Sequence, residues 1–176
     1  MLRFNAARKF KILQLTDIHW KMGSTQNKRI SSLIHSILSV EKPDLVVLTG
    51  DFVHSTHETK EACREVTTPM IQRGIPWAAV IGNHDDEGDL SRLDLMNCLE
   101  SLPLSLTQKG PAELGGTGNY RLAVHLQESD EVGAWLYFLD SFSNSPLQSR
   151  GIGGYAWITH EQIAWFRSLH ASTETT

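Results

Sequence analysis

The stretch VVLTGDFVH, residues 46–54, sets an apolar run directly against Gly50 and Asp51. With the preceding residue it reads Leu45-Val46-Val47-Leu48, apolar throughout and without alternation. That is the pattern of a parallel-sheet strand covered on both faces. A carboxylate at the carboxyl end of such a strand needs a partner, and in parallel sheets that edge is where ligands bind. Working outward, Phe10 to Leu15 is a short strand ending at Thr16-Asp17-Ile18-His19. Ile30, Leu33, Ile34, Ile37 and Leu38 then recur at helical spacing, which predicts an amphipathic helix over residues 26–41, stopped by Pro43-Asp44. Residues 58–73 read as a second helix closed by Gly74, and Trp77 to Ile81 as a third strand ending at Gly82-Asn83-His84-Asp85. Strand–helix–strand–helix–strand alternation implies a parallel α/β sheet with right-handed crossovers. Its topology brings residues more than sixty positions apart to one edge.

Beyond residue 90 the texture changes. Residues 91–102 read as a helix, and Gly115 to Gly118 as a turn. Tyr120 to Leu126 and Ala134 to Leu139 read as two strands, with the polar segment Gln127 to Gly133 between them predicting an antiparallel hairpin. Thr159 opens a last helix, with Gln162 completing a capping box and Ile163, Trp165, Phe166 and Leu169 as its apolar residues. The chain has 176 residues, enough for one domain with a real core, and a single domain over 1–176 is expected. Sixteen Lys and Arg against 20 Asp and Glu give a net charge of −4 with no basic run, so neither nucleic acid nor an anionic membrane is expected as partner. No apolar run approaches the ~18 residues of a membrane span. The N-terminus MLRFNAARKFKILQL has neither the apolar stretch nor the cleavage site of a signal peptide, and a cytoplasmic location is expected. Cys63 and Cys98 form no CxxC pattern and are expected as reduced thiols.

Taken singly, Asp-x-His, Gly-Asp and Gly-Asn-His-Asp are each compatible with ordinary turns and caps. Their conjunction carries the weight: three successive strands deliver Asp17 and His19, then Asp51, then Asn83 and His84 to the same edge. DIH at 17–19, GD at 50–51 and GNHD at 82–85 resemble the calcineurin-like metallophosphoesterase superfamily. SRLDLMNCLESLPLSL (91–106), GNYRLAV (118–124), LYFLDS (136–141) and GYAWITHEQIAWF (154–166) resemble its branch of yeast Dcr2-like and plant purple-acid-phosphatase-like phosphatases. The resemblance implies an α/β/β/α sandwich of the metallophosphoesterase type and hydrolysis of a phosphoester, as a phosphomonoesterase or protein phosphatase. It implies two divalent metal ions, Mn, Fe or Zn by donor chemistry. These neutralise the ester, acidify a bridging water and hold the in-line geometry. Asp17, His19 and Asp51 are then the ligands of the first metal, and Asp51 and Asn83 those of the second. His84 is then the general acid facing substrate, with Asp85 orienting it.

Two departures from the family pattern stand out. Purple acid phosphatases carry Gly-Asp-x-x-Tyr, whose Tyr ligates ferric iron, and His54 occupies that place here. No tyrosinate–iron(III) centre is therefore expected. The family also supplies a histidine after a later strand and a Gly-His-x-His, whereas the later histidines here are His125, His160 and His170, none in that motif. The second metal site is accordingly expected to be incomplete. The chain reads as the N-terminal portion of a truncated phosphatase domain, its first sheet complete in outline and its second partial. The uncovered sheet is expected to offer a surface for self-association. The alternative reading is a non-catalytic remnant that binds metal weakly or serves as an interaction module.

Overall fold

The computed structural model describes residues 1–171. In chain order its strands and α-helices are β1 (Leu2–Arg3), β2 (Ile12–Leu15), α1 (Asn27–Glu41), β3 (Leu45–Thr49), α2 (Thr59–Gln72), β4 (Trp77–Val80), α3 (Arg92–Ser101), β5 (Tyr120–His125), β6 (Val132–Phe138) and α4 (His160–Ala171). Every strand and helix read from the sequence is present, with ends moved by a few residues. One strand is additional among the described residues, as are two short 3-10 turns, Ala112–Leu114 and Gln148–Arg150. β1 has only two residues, too few for any period to register, and is fixed by parallel pairing of Leu2 with Val124 and Arg3 with His125.

The first sheet has the order β2-β3-β4, parallel throughout. Ile12 pairs with Leu45 and Leu15 with Leu48, and Val46 pairs with Trp77 and Thr49 with Val80. Both crossovers advance in the same direction, so right-handed connections place α1 and α2 on one face. The continuous apolar run of β3 follows from its two buried faces. Val46 and Leu48 join Trp77, Ala79 and the buried residues of α1, α2 and α3 in one core. Leu45 and Val47 point the other way, into a second core with Ala78, Tyr120, Leu122, Val124 and Phe138. That second core is the seam between the two sheets.

The second sheet has the order β1-β5-β6, and the expected hairpin is antiparallel, with Tyr120 opposite Phe138 and Leu122 opposite Leu136. Alternate residues of β5 and β6 face outward to α4: Tyr137 meets Phe166 edge-on at 4.7 Å, and Arg121 lies 3.8 Å over the Trp135 ring. Helices, sheet, sheet and helix thus form the α/β/β/α sandwich. The capping box that opens α4 is formed as expected. Thr159 N–H donates to Gln162 Oε1 at 2.7 Å, and Gln162 N–H to Thr159 Oγ1 at 3.3 Å. Along β2 and β6 the seam opens into a cleft of about 510 Å³ lined by Ile12, Val47, Val80, Leu136 and Phe138 among others, so an apolar face does remain uncovered there. Among the described residues no helix is long and apolar enough to cross a membrane, and both cysteines are free.

Candidate metal centre

The site begins where β2 and β3 end. Asp17, His19 and Asp51 have φ of 53°, 49° and 52°, the left-handed region that non-glycine residues rarely enter. Each such residue costs on the order of 1 kcal/mol and persists only where its surroundings fix it. Here the two post-strand loops run side by side and fix each other. Asp17 N–H donates to Gly50 O at 3.2 Å, His19 N–H to Asp51 O at 2.9 Å, and Trp20 N–H to Phe52 O at 2.9 Å. The parallel pairing of β2 and β3 therefore continues past the strand ends, and three side chains are turned out from it.

The third loop packs closely against the second. Gly50 has φ 93°, and a Cβ on it would lie 2.8 Å from Gly82 Cα. A Cβ on Gly82 would overlap Asp51 Oδ1. These two glycines are what allow the Gly-Asp and Gly-Asn-His-Asp loops to touch. Asp85 locks the contact. Its buried carboxylate accepts from Asp51 N–H at 2.8 Å and Gly82 N–H at 2.7 Å through Oδ2, and from Val53 N–H at 2.9 Å through Oδ1. Burial pushes this carboxyl up to about 6, against the three backbone donors that favour its charged form.

The expectation that Asp85 orients the His84 ring is therefore corrected. Asp85 is turned inward to the backbone, and Glu87 orients the ring instead, with Oε1 2.7 Å from His84 Nδ1. Ser55 Oγ donates to the other oxygen of Glu87 at 2.6 Å, and His54 Nε2 lies 3.3 Å from it. The Glu87 hydrogen bond raises the His84 pKa above its ordinary value, and the Ser55 and His84 bonds lower that of Glu87. His54, which stands where purple acid phosphatases carry Tyr, is part of a cluster. Its ring centroid is 5.1 Å from that of His19 and 4.9 Å from that of His84. Neither Glu87 nor this grouping is visible in the sequence, because loop residues carry no period. The one available signal is spacing, His54 three residues after Asp51 and Glu87 three after His84.

Asp17, His19 and Asp51 each offer one donor atom, all within 4.8 Å of one another. His19 Nε2 is 3.6 Å from Asp17 Oδ1. Two carboxylates and an imidazole at this spacing fit a divalent cation of the Mn, Fe or Zn type. Asn83 lines the same cleft of about 270 Å³ as Asp17 and Asp51. The cleft's remaining wall comes from Ser141, Phe142, Ser143, Tyr155 and Ala156. Among the described residues, the lining of this cleft includes no imidazole. His125 Nδ1 is 2.8 Å from the Asp130 carbonyl in the hairpin, and His170 stacks on Phe166. His125, His160 and His170 are all outside the lining of the cleft.

A buried network supports the third loop from the second sheet. Arg92 Nη1 donates to Gly82 O at 2.8 Å and Nη2 to Ile81 O at 3.2 Å, while Nη2 also pairs with Asp140 Oδ1 at 2.6 Å. Asp140 is fully buried and accepts from the N–H groups of Thr117 and Phe142 at 2.8 Å each. Gln162 Nε2 donates to Asn119 Oδ1 and to Asp140 O, both at 2.7 Å. The backbone that carries Asn83 is thereby tied to β6 and α4.

Comparison with known proteins agrees with this architecture. The calcineurin-like phosphoesterase family profile matches residues 10–174. "Probable inactive purple acid phosphatase 29" of Arabidopsis thaliana is 36% identical, over 94% of this chain and 48% of its own length. "Probable inactive purple acid phosphatase 14" of the same plant is 34% identical, over 94% and 47%. "Phosphatase DCR2" of Saccharomyces cerevisiae is 34% identical, over 92% and 32%. The chain spans about half the length of these plant relatives and about a third of the yeast one. With its profile match over nearly the full sequence and its ligand-bearing loops on three adjacent parallel strands, the chain belongs to the calcineurin-like phosphoesterase family.

Proposed function

We propose that the chain carries a metal-dependent phosphoesterase site that hydrolyses phosphomonoesters, of small molecules or phosphoproteins. The observation carrying this reading is the convergence of Asp17, His19 and Asp51, with donor atoms within 4.8 Å, at the edge formed by β2, β3 and β4. These three residues hold one divalent cation, and Asp51 and Asn83 are the donors toward a second. Cations bound there neutralise the phosphoester charge and supply a nucleophile at neutral pH. His84 serves as proton donor to the leaving oxygen. Glu87 holds its Nδ1 at 2.7 Å, which leaves Nε2 for substrate and keeps the imidazole charged to higher pH than a free histidine. Asp85 acts through the backbone, by fixing the loops of Asp51 and Gly82.

A second reading has its own observation in favour. Asp51 and Asn83 face Ser141, Ser143 and Tyr155 across the cleft rather than imidazoles, so the second cation has few anchors from this chain. On that reading the chain binds one cation and turns over no substrate. The two are separated by assaying residues 1–176 for p-nitrophenyl phosphate hydrolysis with Mn²⁺ or Zn²⁺, beside an Asn83→Ala control. Turnover that disappears in the control supports hydrolysis. Equal background in both proteins, with a cation bound at the first cluster, supports the second reading.

A further inference from the structure

A second group of donors lies beside the first and shares no residue with it: His54, His84 and Glu87, with donor atoms also within 4.8 Å of one another. The two Glu87 oxygens are each directed at a different imidazole, Oε1 at His84 Nδ1 (2.7 Å) and Oε2 at His54 Nε2 (3.3 Å). Zinc bonds to imidazole nitrogen and carboxylate oxygen at about 2.0–2.2 Å, so two donors on a tetrahedral ion sit about 3.3 Å apart. The His54–Glu87 pair already has that separation, and the His84–Glu87 pair needs to open by roughly half an ångström. All three side chains are part-exposed, between 32% and 39%, so both rings are free to adjust and an ion can enter from solvent. Ser55, donating to Glu87 Oε2, holds the carboxylate in place as outer partners of metal ligands do.

We propose that His54, His84 and Glu87 form a separate transition-metal site, of the two-histidine, one-glutamate type that suits Zn²⁺.

The test uses the metal-free chain of residues 1–176 and counts bound Zn²⁺ by calorimetry, with the visible spectrum of Co²⁺ as an independent report of nitrogen ligation. The Asp17→Asn/His19→Ala variant is expected to retain one cation, and adding His54→Ala or Glu87→Gln to it to abolish that binding. Circular dichroism verifies that each variant is folded; both His54 and Glu87 are part-exposed loop residues, so two independent routes to the same loss are available. The proposal is overturned if the Asp17→Asn/His19→Ala variant binds no cation, or if the added His54→Ala and Glu87→Gln changes leave its binding intact. Absence of p-nitrophenyl phosphate hydrolysis in the parent chain, with these metal counts as expected, would sink the phosphoesterase reading and leave the site standing.

Discussion

Arg92→Met tests whether the second sheet supports the metal-bearing loop. The substitution keeps an apolar stem of similar length and removes the guanidinium. Asp140, with no exposed surface, loses its charged partner at 2.6 Å, and the carbonyls of Ile81 and Gly82 lose their donors at 3.2 and 2.8 Å. Removing one partner of a buried ion pair costs about 3–5 kcal/mol, because the other charge is left uncompensated. The two N–H bonds from Thr117 and Phe142 persist and hold the effect to the lower half of that range, about 3–4 kcal/mol. Against a total stability of about 5–15 kcal/mol this is a large fraction. With a urea slope near ~2 kcal/mol per M, the midpoint falls by about 2 M. Arg92→Met/Asp140→Asn is expected to recover part of the loss, giving a coupling of more than ~1 kcal/mol in the double-mutant cycle. A loss under about 1 kcal/mol with strictly additive effects would refute the assigned role of the pair.

Other consequences are equally open to measurement. Gly82→Ala forces its new Cβ onto Asp51 Oδ1, so Mn²⁺ affinity should drop at least tenfold while the circular dichroism spectrum is retained; unchanged affinity would show that the two loops separate freely. Glu87 raises the His84 pKa, so proton donation by His84 is present below that pKa and lost as pH rises through it. Glu87→Gln should therefore move the alkaline limb of the kcat/KM profile to lower pH, and an unmoved limb would remove His84 as the acid. Asp85→Ala should lower thermal stability as well as metal affinity, since the N–H groups of Asp51, Val53 and Gly82 lose their acceptor; a variant as stable as the parent would mean that water replaces the carboxylate fully.

Much of this fold can be read along the chain, and the exceptions have physical causes. β3 is legible because burial on both faces leaves an unbroken apolar run, and α1 because Ile34 and Leu38 repeat at helical spacing. β1 is illegible because two residues have no period; its pairing with Val124 and His125 is a tertiary fact. The conjunction of Asp17, His19, Asp51 and Asn83 follows from topology, since parallel strands share a carboxyl edge. The partner of His84 does not follow. Asp85 adjoins it in sequence, but the turn directs the Asp85 carboxylate into the backbone and leaves Glu87 on the ring. Arg92 and Asp140 are 48 residues apart and meet only once both sheets are packed. His54 gains meaning only from the neighbours that three separate loops bring to it.

The most direct measurement is Mn²⁺ binding to residues 1–176 carrying Asp51→Asn, made in a His54→Ala background so that only the Asp17 cluster is read. Asp51 belongs to that cluster, and its Oδ1 accepts the His84 N–H at 2.9 Å. If Asp51 is the carboxylate around which the centre is built, affinity falls by more than about 100-fold and p-nitrophenyl phosphate hydrolysis goes with it. Affinity within twofold of the parent, in a folded protein, would contradict the assignment of Asp51 as the ligand at the heart of the site.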